Sequence, residues 1–222
     1  MTPAILIAGH GSRDPDGIAE FLDLARHFRK HRPEVPAEIA FLEFARPTIQ
    51  EGIDRLMHDG AATIVVLPGV LMAAGHAKND MASEVRLARQ RHPHIPIHMG
   101  RALEIEPRLL QLCRLRYLEA LAGREAIEPD QTLLLLVGRG SGDPDANANI
   151  AKVARFLQEG YPTGWADVAY SGIARPFGRG APGLRADGIS PHRGSTLLPL
   201  QRCALEAHLR LCRGAPPRPA GP

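Results

Sequence analysis

Residues 6–22, LIAGHGSRDPDGIAEFL, and residues 135–157, LLVGRGSGDPDANANIAKVARFL, decide the fold. Each begins as an apolar β-rich run, turns through a Gly-x-Gly-Ser segment and continues with helical periodicity. The copies stand at an offset of 129 residues: Gly9, Gly11, Ser12, Asp14, Pro15 and Asp16 recur as Gly138, Gly140, Ser141, Asp143, Pro144 and Asp145. The same offset carries Ala45-Arg46-Pro47 onto Ala174-Arg175-Pro176. A constant offset across two separate segments marks the duplication of one α/β unit.

Working outward, strand signals fall at Ala4–Ala8, Ala37–Phe44, Thr63–Val70, Ile95–Met99, Leu133–Val137 and Ala166–Gly172. Helical patterns lie between them, at 17–31, 48–58, 77–91, 105–122 and 146–159. In the first, Ile18, Phe21, Leu22, Ala25 and Phe28 share a face; in the second, Ile49, Ile53, Leu56 and Met57 do. Continuous apolar strands alternating with helices predict parallel sheets covered on both faces. The expected architecture is α/β, two flavodoxin-like halves with the second incomplete. Residues 1–124 form the first half and 131–176 part of the second. Residues 177–222, with seven Pro and seven Gly, read as a degenerate or poorly ordered tail. The helix and strand that should follow Pro176 by analogy with 48–58 and 63–70 are not legible there.

Composition narrows the function classes. The net charge of +3 arises in the tail, where seven Arg face only Asp187 and Glu206. The body carries no polyanion-binding surface, and the tail has a single aromatic, Phe177, so a nucleic-acid partner is not expected. No apolar run is long enough to span a bilayer, which takes about 20 residues. The start lacks the basic n-region of a signal peptide. Cys113, Cys203 and Cys212 have no paired spacing. Together these predict a cytoplasmic protein without disulfides.

The chemistry-bearing residues sit after strands. His10 follows strand one in Gly9-His10-Gly11-Ser12-Arg13. His76 follows strand three in Gly75-His76-Ala77-Lys78-Asn79-Asp80. The carboxyl edge of an open parallel sheet is where ligands bind, and imidazole both ligates divalent metals and exchanges protons near neutral pH. Glu43 lies at the end of strand two in FLEFARP; it is read either as pairing with Arg46 or capping a helix, or as binding a cation. Asp14 and Asp16 suit a helix N-terminus. Glu84 reads as a solvated charge pairing with Arg or Lys neighbours, while Asp80 is open. His92, His94 and His98 belong to the opposite edge and read as structural, because no third group converges on them. The glycine turn lacks both the Gly-Lys-Ser/Thr ending of a P-loop and the spacing of a dinucleotide fingerprint. His10, Glu43 and His76 could reach one edge from three strands, a donor set suited to a first-row divalent ion.

At this point GHGSRDP, FLEFARPTI and LPGVLMAAGHAKND resemble the class II tetrapyrrole chelatases, specifically the sirohydrochlorin cobaltochelatase family in its tandem-repeat form, over residues 1–176. The resemblance implies insertion of Co²⁺ into sirohydrochlorin in cobalamin biosynthesis, with no nucleotide. Close relatives insert Fe²⁺ for sirohaem, or Ni²⁺. It implies that His10 and His76 hold the metal and assist deprotonation, and that Glu43 is ligand or base. Arg13, Arg46 and Lys78 flank these positions and suit the carboxylates of the tetrapyrrole partner. The second copy departs from the pattern: Arg139 stands for His10, Gly172 for Glu43, and Leu205 near the counterpart of His76. Such a chain is weakly active, inactive or dependent on homodimer formation; the rival reading is a non-catalytic carrier of metal or tetrapyrrole, a remnant of a chelatase. A flavin binder is disfavoured by the scarcity of aromatics near the strand ends.

Overall fold

The structure, a computed structural model, describes residues 3–72, 74–122, 128–170 and 196–199; the side chains of residues 76–78, 130 and 196–199 are not described. The chain divides into two compact units between Leu103 and Glu104.

The first unit runs β1 (Ala4–Gly9), α1 (Pro15–His31), β2 (Ala37–Phe41), α2 (Ile49–His58), β3 (Ile64–Pro68), α3 (Gly75–Arg91) and β4 (Ile97–Met99). Its four strands are parallel in the order β2-β1-β3-β4, the flavodoxin-like winding. Alternation along the strands splits the core. Leu6, Ala8, Ala40, Ile64 and Val66 face Ile49, Ile53 and Leu56 of α2 and Met81, Val85 and Ala88 of α3. Ile7, Ile39 and Phe41 face Leu24 and Ala25 of α1 on the other side, with Ile18, Phe21 and Phe28 packed against them. The expected face of α1 needs one exchange: Leu22 is exposed and Leu24 is buried. At about 100° per residue, Leu24 lies about 60° from Phe21 while Leu22 lies about 100° away, at the stripe's margin.

The second unit holds α4 (Pro107–Leu121), β5 (Leu133–Gly138), α5 (Pro144–Gly160), β6 (Trp165–Tyr170) and β7 (Thr196–Pro199). The strand order β6-β5-β7 repeats β2-β1-β3. The duplication is exact to the residue in its first elements. Ile5 pairs with Ala37, and Leu134 with Ala166. Asp14 caps α1 by accepting from the Asp16 N–H at 3.1 Å, and Asp143 caps α5 by accepting from the Asp145 N–H at 2.9 Å. Ser12 and Ser141 each accept from the backbone N–H two residues on, both at 3.0 Å.

Two expectations change. A strand does form within 177–222: β7 pairs in parallel with β5, Pro199 opposite Val137 as Pro68 is opposite Ala8. Its offset from β3 is 131, so two extra residues hide it from the repeat. Leu205, read as near the counterpart of His76, lies outside the described residues. The rest of the tail, including the short helix pattern near Leu200–Leu211, lies outside the described residues. Second, α4 closes the second unit rather than the first. It packs against α5 and β7, burying Leu109, Leu112, Cys113 and Tyr117. Tyr117 donates to the Pro162 carbonyl at 3.1 Å, Tyr161 donates to the Leu110 carbonyl at 2.7 Å, and the two rings stack at 5.6 Å. The compact units therefore separate about one helix earlier than the 123–130 boundary read from the sequence.

Ile53 is fully buried between α2 and the sheet. Ile53→Ala should cost about 2–5 kcal/mol, seen as a lower urea midpoint; an unchanged midpoint would contradict this packing.

Candidate metal and tetrapyrrole site

Strands β1 and β2 continue to pair after regular strand geometry ends. The Leu42 N–H donates to the Gly9 carbonyl at 2.9 Å and the Glu43 N–H to the His10 carbonyl at 3.0 Å. Gly11 follows with φ of +92°, and a Cβ there would lie 1.7 Å from the Glu43 carbonyl oxygen. Only glycine permits both the left-handed backbone and this approach. The two loops are thereby locked together, and their side chains meet: His10 Nδ1 lies 3.3 Å from Glu43 Oε1. Both groups are a little under half exposed, 42% and 46%, so each stays reachable from solvent.

That separation has a chemical meaning. Two donor atoms bound about 2.1 Å from one ion at tetrahedral to octahedral angles stand about 3.0–3.4 Å apart. An imidazole beside a carboxylate can also be oriented by it and pass it a proton.

Glu43 thus faces His10, not Arg46. Arg46 Nη1 lies 3.1 Å from Glu51 Oε1 instead, and its side chain is 83% exposed. Glu51 completes a capping box at the start of α2: Thr48 Oγ1 accepts from the Glu51 N–H, and Glu51 accepts from the Thr48 N–H at 2.8 Å. The Thr48 N–H, assisted by Arg46, holds the Glu51 carboxyl below the usual carboxylate range. Arg13 reaches across the same edge, its Cζ 4.8 Å from the centre of the Phe44 ring.

The third segment comes from β3. The Gly69 N–H donates to the Ala8 carbonyl at 2.7 Å, extending the β1–β3 pairing to the carboxyl edge, and α3 begins at Gly75. His76 is thus the second residue of α3 and Lys78 the fourth; their side chains are outside the described set. Among the described residues no three His, Cys, Asp or Glu side chains gather as a metal cluster.

Elsewhere several polar residues have structural partners. Glu84 accepts from Gln50 Nε2 at 2.8 Å, and among the described residues no Arg or Lys pairs with it. His92 Nε2 lies 3.0 Å from Asp54, which also meets Arg91, tying the end of α3 to α2. His94 is 6.4 Å from His92 between ring centres, and the group sits before β4, at the edge opposite His10. Sequence reasoning missed Phe44. It continued β2 through that residue, whereas the strand ends at Phe41 and Phe44 takes a left-handed φ of 63° and is 51% exposed.

The family model described as CbiX matches residues 4–120 and 133–181. The chain belongs to the CbiX family. Among relatives of this CbiX-family chain, the sirohydrochlorin cobaltochelatase of Priestia megaterium is 33% identical over 175 residues, 78% of this chain and 56% of that protein. The sirohydrochlorin ferrochelatase of Bacillus subtilis (strain 168) is 32% identical over 162 residues, 73% of this chain and 60% of that protein. The chain spans little more than half the length of these curated relatives. Among solved structures, SirB from Bacillus subtilis with Fe³⁺ aligns with a TM-score of 0.68 at 30% identity, covering 79% of this chain and 68% of that one. The sirohydrochlorin chelatase SirB from Bacillus subtilis subspecies spizizenii, in complex with cobalt, aligns with a TM-score of 0.67 at 25% identity, covering 96% and 94%. The parallel α/β fold of this CbiX-family member is shared with these chelatases. No helix among the described residues is long and apolar enough to cross a membrane.

Gly11→Ala should destabilise the first unit by more than about 1 kcal/mol, since it adds both left-handed strain and a backbone clash. Thermal denaturation checks this; an unchanged Tm would mean that the two loops are not locked as described.

Proposed function

We propose that this chain inserts a divalent metal ion, Co²⁺, into sirohydrochlorin in cobalamin biosynthesis. The observation that carries the reading is the half-exposed His10–Glu43 pair, 3.3 Å apart at the carboxyl edge of the first sheet of a CbiX-family chain. Fe²⁺ insertion for sirohaem is the second reading, because ferrochelatases of Priestia megaterium and Bacillus subtilis are similar to nearly the same degree. Ligand type does not separate the two ions, whose intrinsic affinities follow one general order.

The reaction exchanges one M²⁺ for two pyrrole N–H protons, so charge balances without a nucleotide. His10 and His76 hold the ion as it arrives. Once it passes to the macrocycle their imidazoles are free to take up the departing protons. Glu43 serves as third donor or as the base that carries protons to solvent. Its exposure supports the second duty, since a reachable carboxylate exchanges protons rapidly with water. Arg13, Arg46 and Lys78 hold the peripheral carboxylates, with the two guanidinium groups offering bidentate contacts. Arg46 must share its charge with Glu51, which leaves Arg13 as the stronger anchor. Arg139 and Gly172 replace the ligand positions in the second copy, so one metal site per chain is expected.

Purified protein given sirohydrochlorin and Co²⁺ should convert many equivalents per chain, followed by absorbance. Conversion that stops at one equivalent would identify a carrier instead. His10→Ala and His76→Ala, made separately, should each lower turnover about a hundredfold or more while Tm stays near that of the unaltered chain. A variant that keeps full turnover removes that residue from the mechanism. A higher kcat/KM with Fe²⁺ would select the sirohaem reading.

A further inference from the structure

We propose that Phe44 is a substrate-contacting residue, the apolar rest on which the tetrapyrrole macrocycle settles above the metal pair; the proposal rests on the chelatase reading. Three observations converge on it. Its backbone holds φ of 63°, a conformation that bulky side chains rarely adopt. The residue is 51% exposed, and among the described residues of the first unit no other Phe, Tyr or Trp is exposed. Its ring lies against the candidate chemistry: its centre is 6.3 Å from the His10 ring with the planes within 16°, and the Arg13 guanidinium stands over it.

A fold that needed Phe44 for packing would bury it, as it buries Phe41 three residues earlier. Here the loop instead spends strain to keep a large apolar surface in water, and strained residues of this kind cluster at ligand sites. The surface on offer matches a tetrapyrrole: an apolar ring for the flat conjugated body, and a cation beside it for a carboxylate at the rim. The orientation fits as well. A metal on a ring nitrogen lies in the imidazole plane, so handing it to the face of a macrocycle requires His10 to stand upright on that face. Phe44, nearly coplanar in orientation, then meets the same face edge-first, the T-shaped geometry that aromatic pairs favour.

The test is titration of metal-free sirohydrochlorin into the unaltered chain, Phe44→Ala, Phe44→Gly and Phe44→Tyr, with steady-state Co²⁺ insertion alongside. Phe44→Ala and Phe44→Gly should weaken tetrapyrrole binding and raise KM by roughly three- to tenfold, with kcat within about twofold, and Phe44→Tyr should restore both. Glycine adopts this φ freely, so Phe44→Gly keeps Tm at or above that of the unaltered chain and shows that the loss is one of contact. Equal binding by the unaltered chain and Phe44→Gly, or a Phe44→Tyr variant as impaired as Phe44→Ala, overturns the proposal while leaving chelation intact. Failure of the unaltered chain to bind sirohydrochlorin overturns the chelatase reading itself.

Discussion

The pairing of β1 with β2 outlasts the strands themselves, and the candidate site depends on that extension. Two backbone hydrogen bonds, Leu42 to Gly9 and Glu43 to His10, carry the register past the point where regular geometry stops. Gly11 then brings its Cα against the Glu43 carbonyl at a distance no Cβ would survive. Hydrogen bonding fixes the pair along the strand and glycine fixes it across. The cost of holding two polar side chains together is thus borne by a rigid sheet edge rather than by the side chains alone. Apolar layers on both faces, centred on Leu6 and Ile7, keep that edge in place.

Duplication explains how the second half can fold so similarly and yet carry different side chains at the candidate positions. Its first βα turn preserves the caps, the Ser12-type contact and the strand register, which are requirements of folding. It lacks the imidazole and the carboxylate, the side chains that the proposed chemistry uses, with Arg139 and Gly172 at those positions. Separating conserved scaffold from discarded side chains inside one chain singles out His10 and Glu43 without recourse to any other protein. The CbiX-family match is a separate observation, drawn from residues 4–120 and 133–181 rather than from this pair.

Much of this was legible before any coordinates. Five helices and the first six strands follow from local periodicity and from caps such as Asp14, because those signals are short-range. What stayed hidden depends on contacts distant in sequence. β7 is four residues in a Gly- and Pro-rich stretch, and only β5, about sixty residues earlier, makes it a strand. Helix α4 has an ordinary pattern; that it closes the second unit is decided by Tyr117 and Tyr161 finding backbone acceptors across that unit. The partner of Glu43 was ambiguous for the same reason. Arg46 is near in sequence, but Thr48 builds a capping box with Glu51 that draws Arg46 away, leaving Glu43 to His10. Phe44 was unreadable because strand periodicity cannot announce a left-handed residue.

The central claim is that one ion is held between the first strand's imidazole and the second strand's carboxylate. Anomalous diffraction at the cobalt edge from crystals of the chain grown with Co²⁺ tests it most directly. The account predicts one peak about 2.0–2.3 Å from a ring nitrogen of His10, with Glu43 in its first or second coordination sphere and His76 completing the set. A peak at His92 and His94 instead, with none at His10, would contradict it.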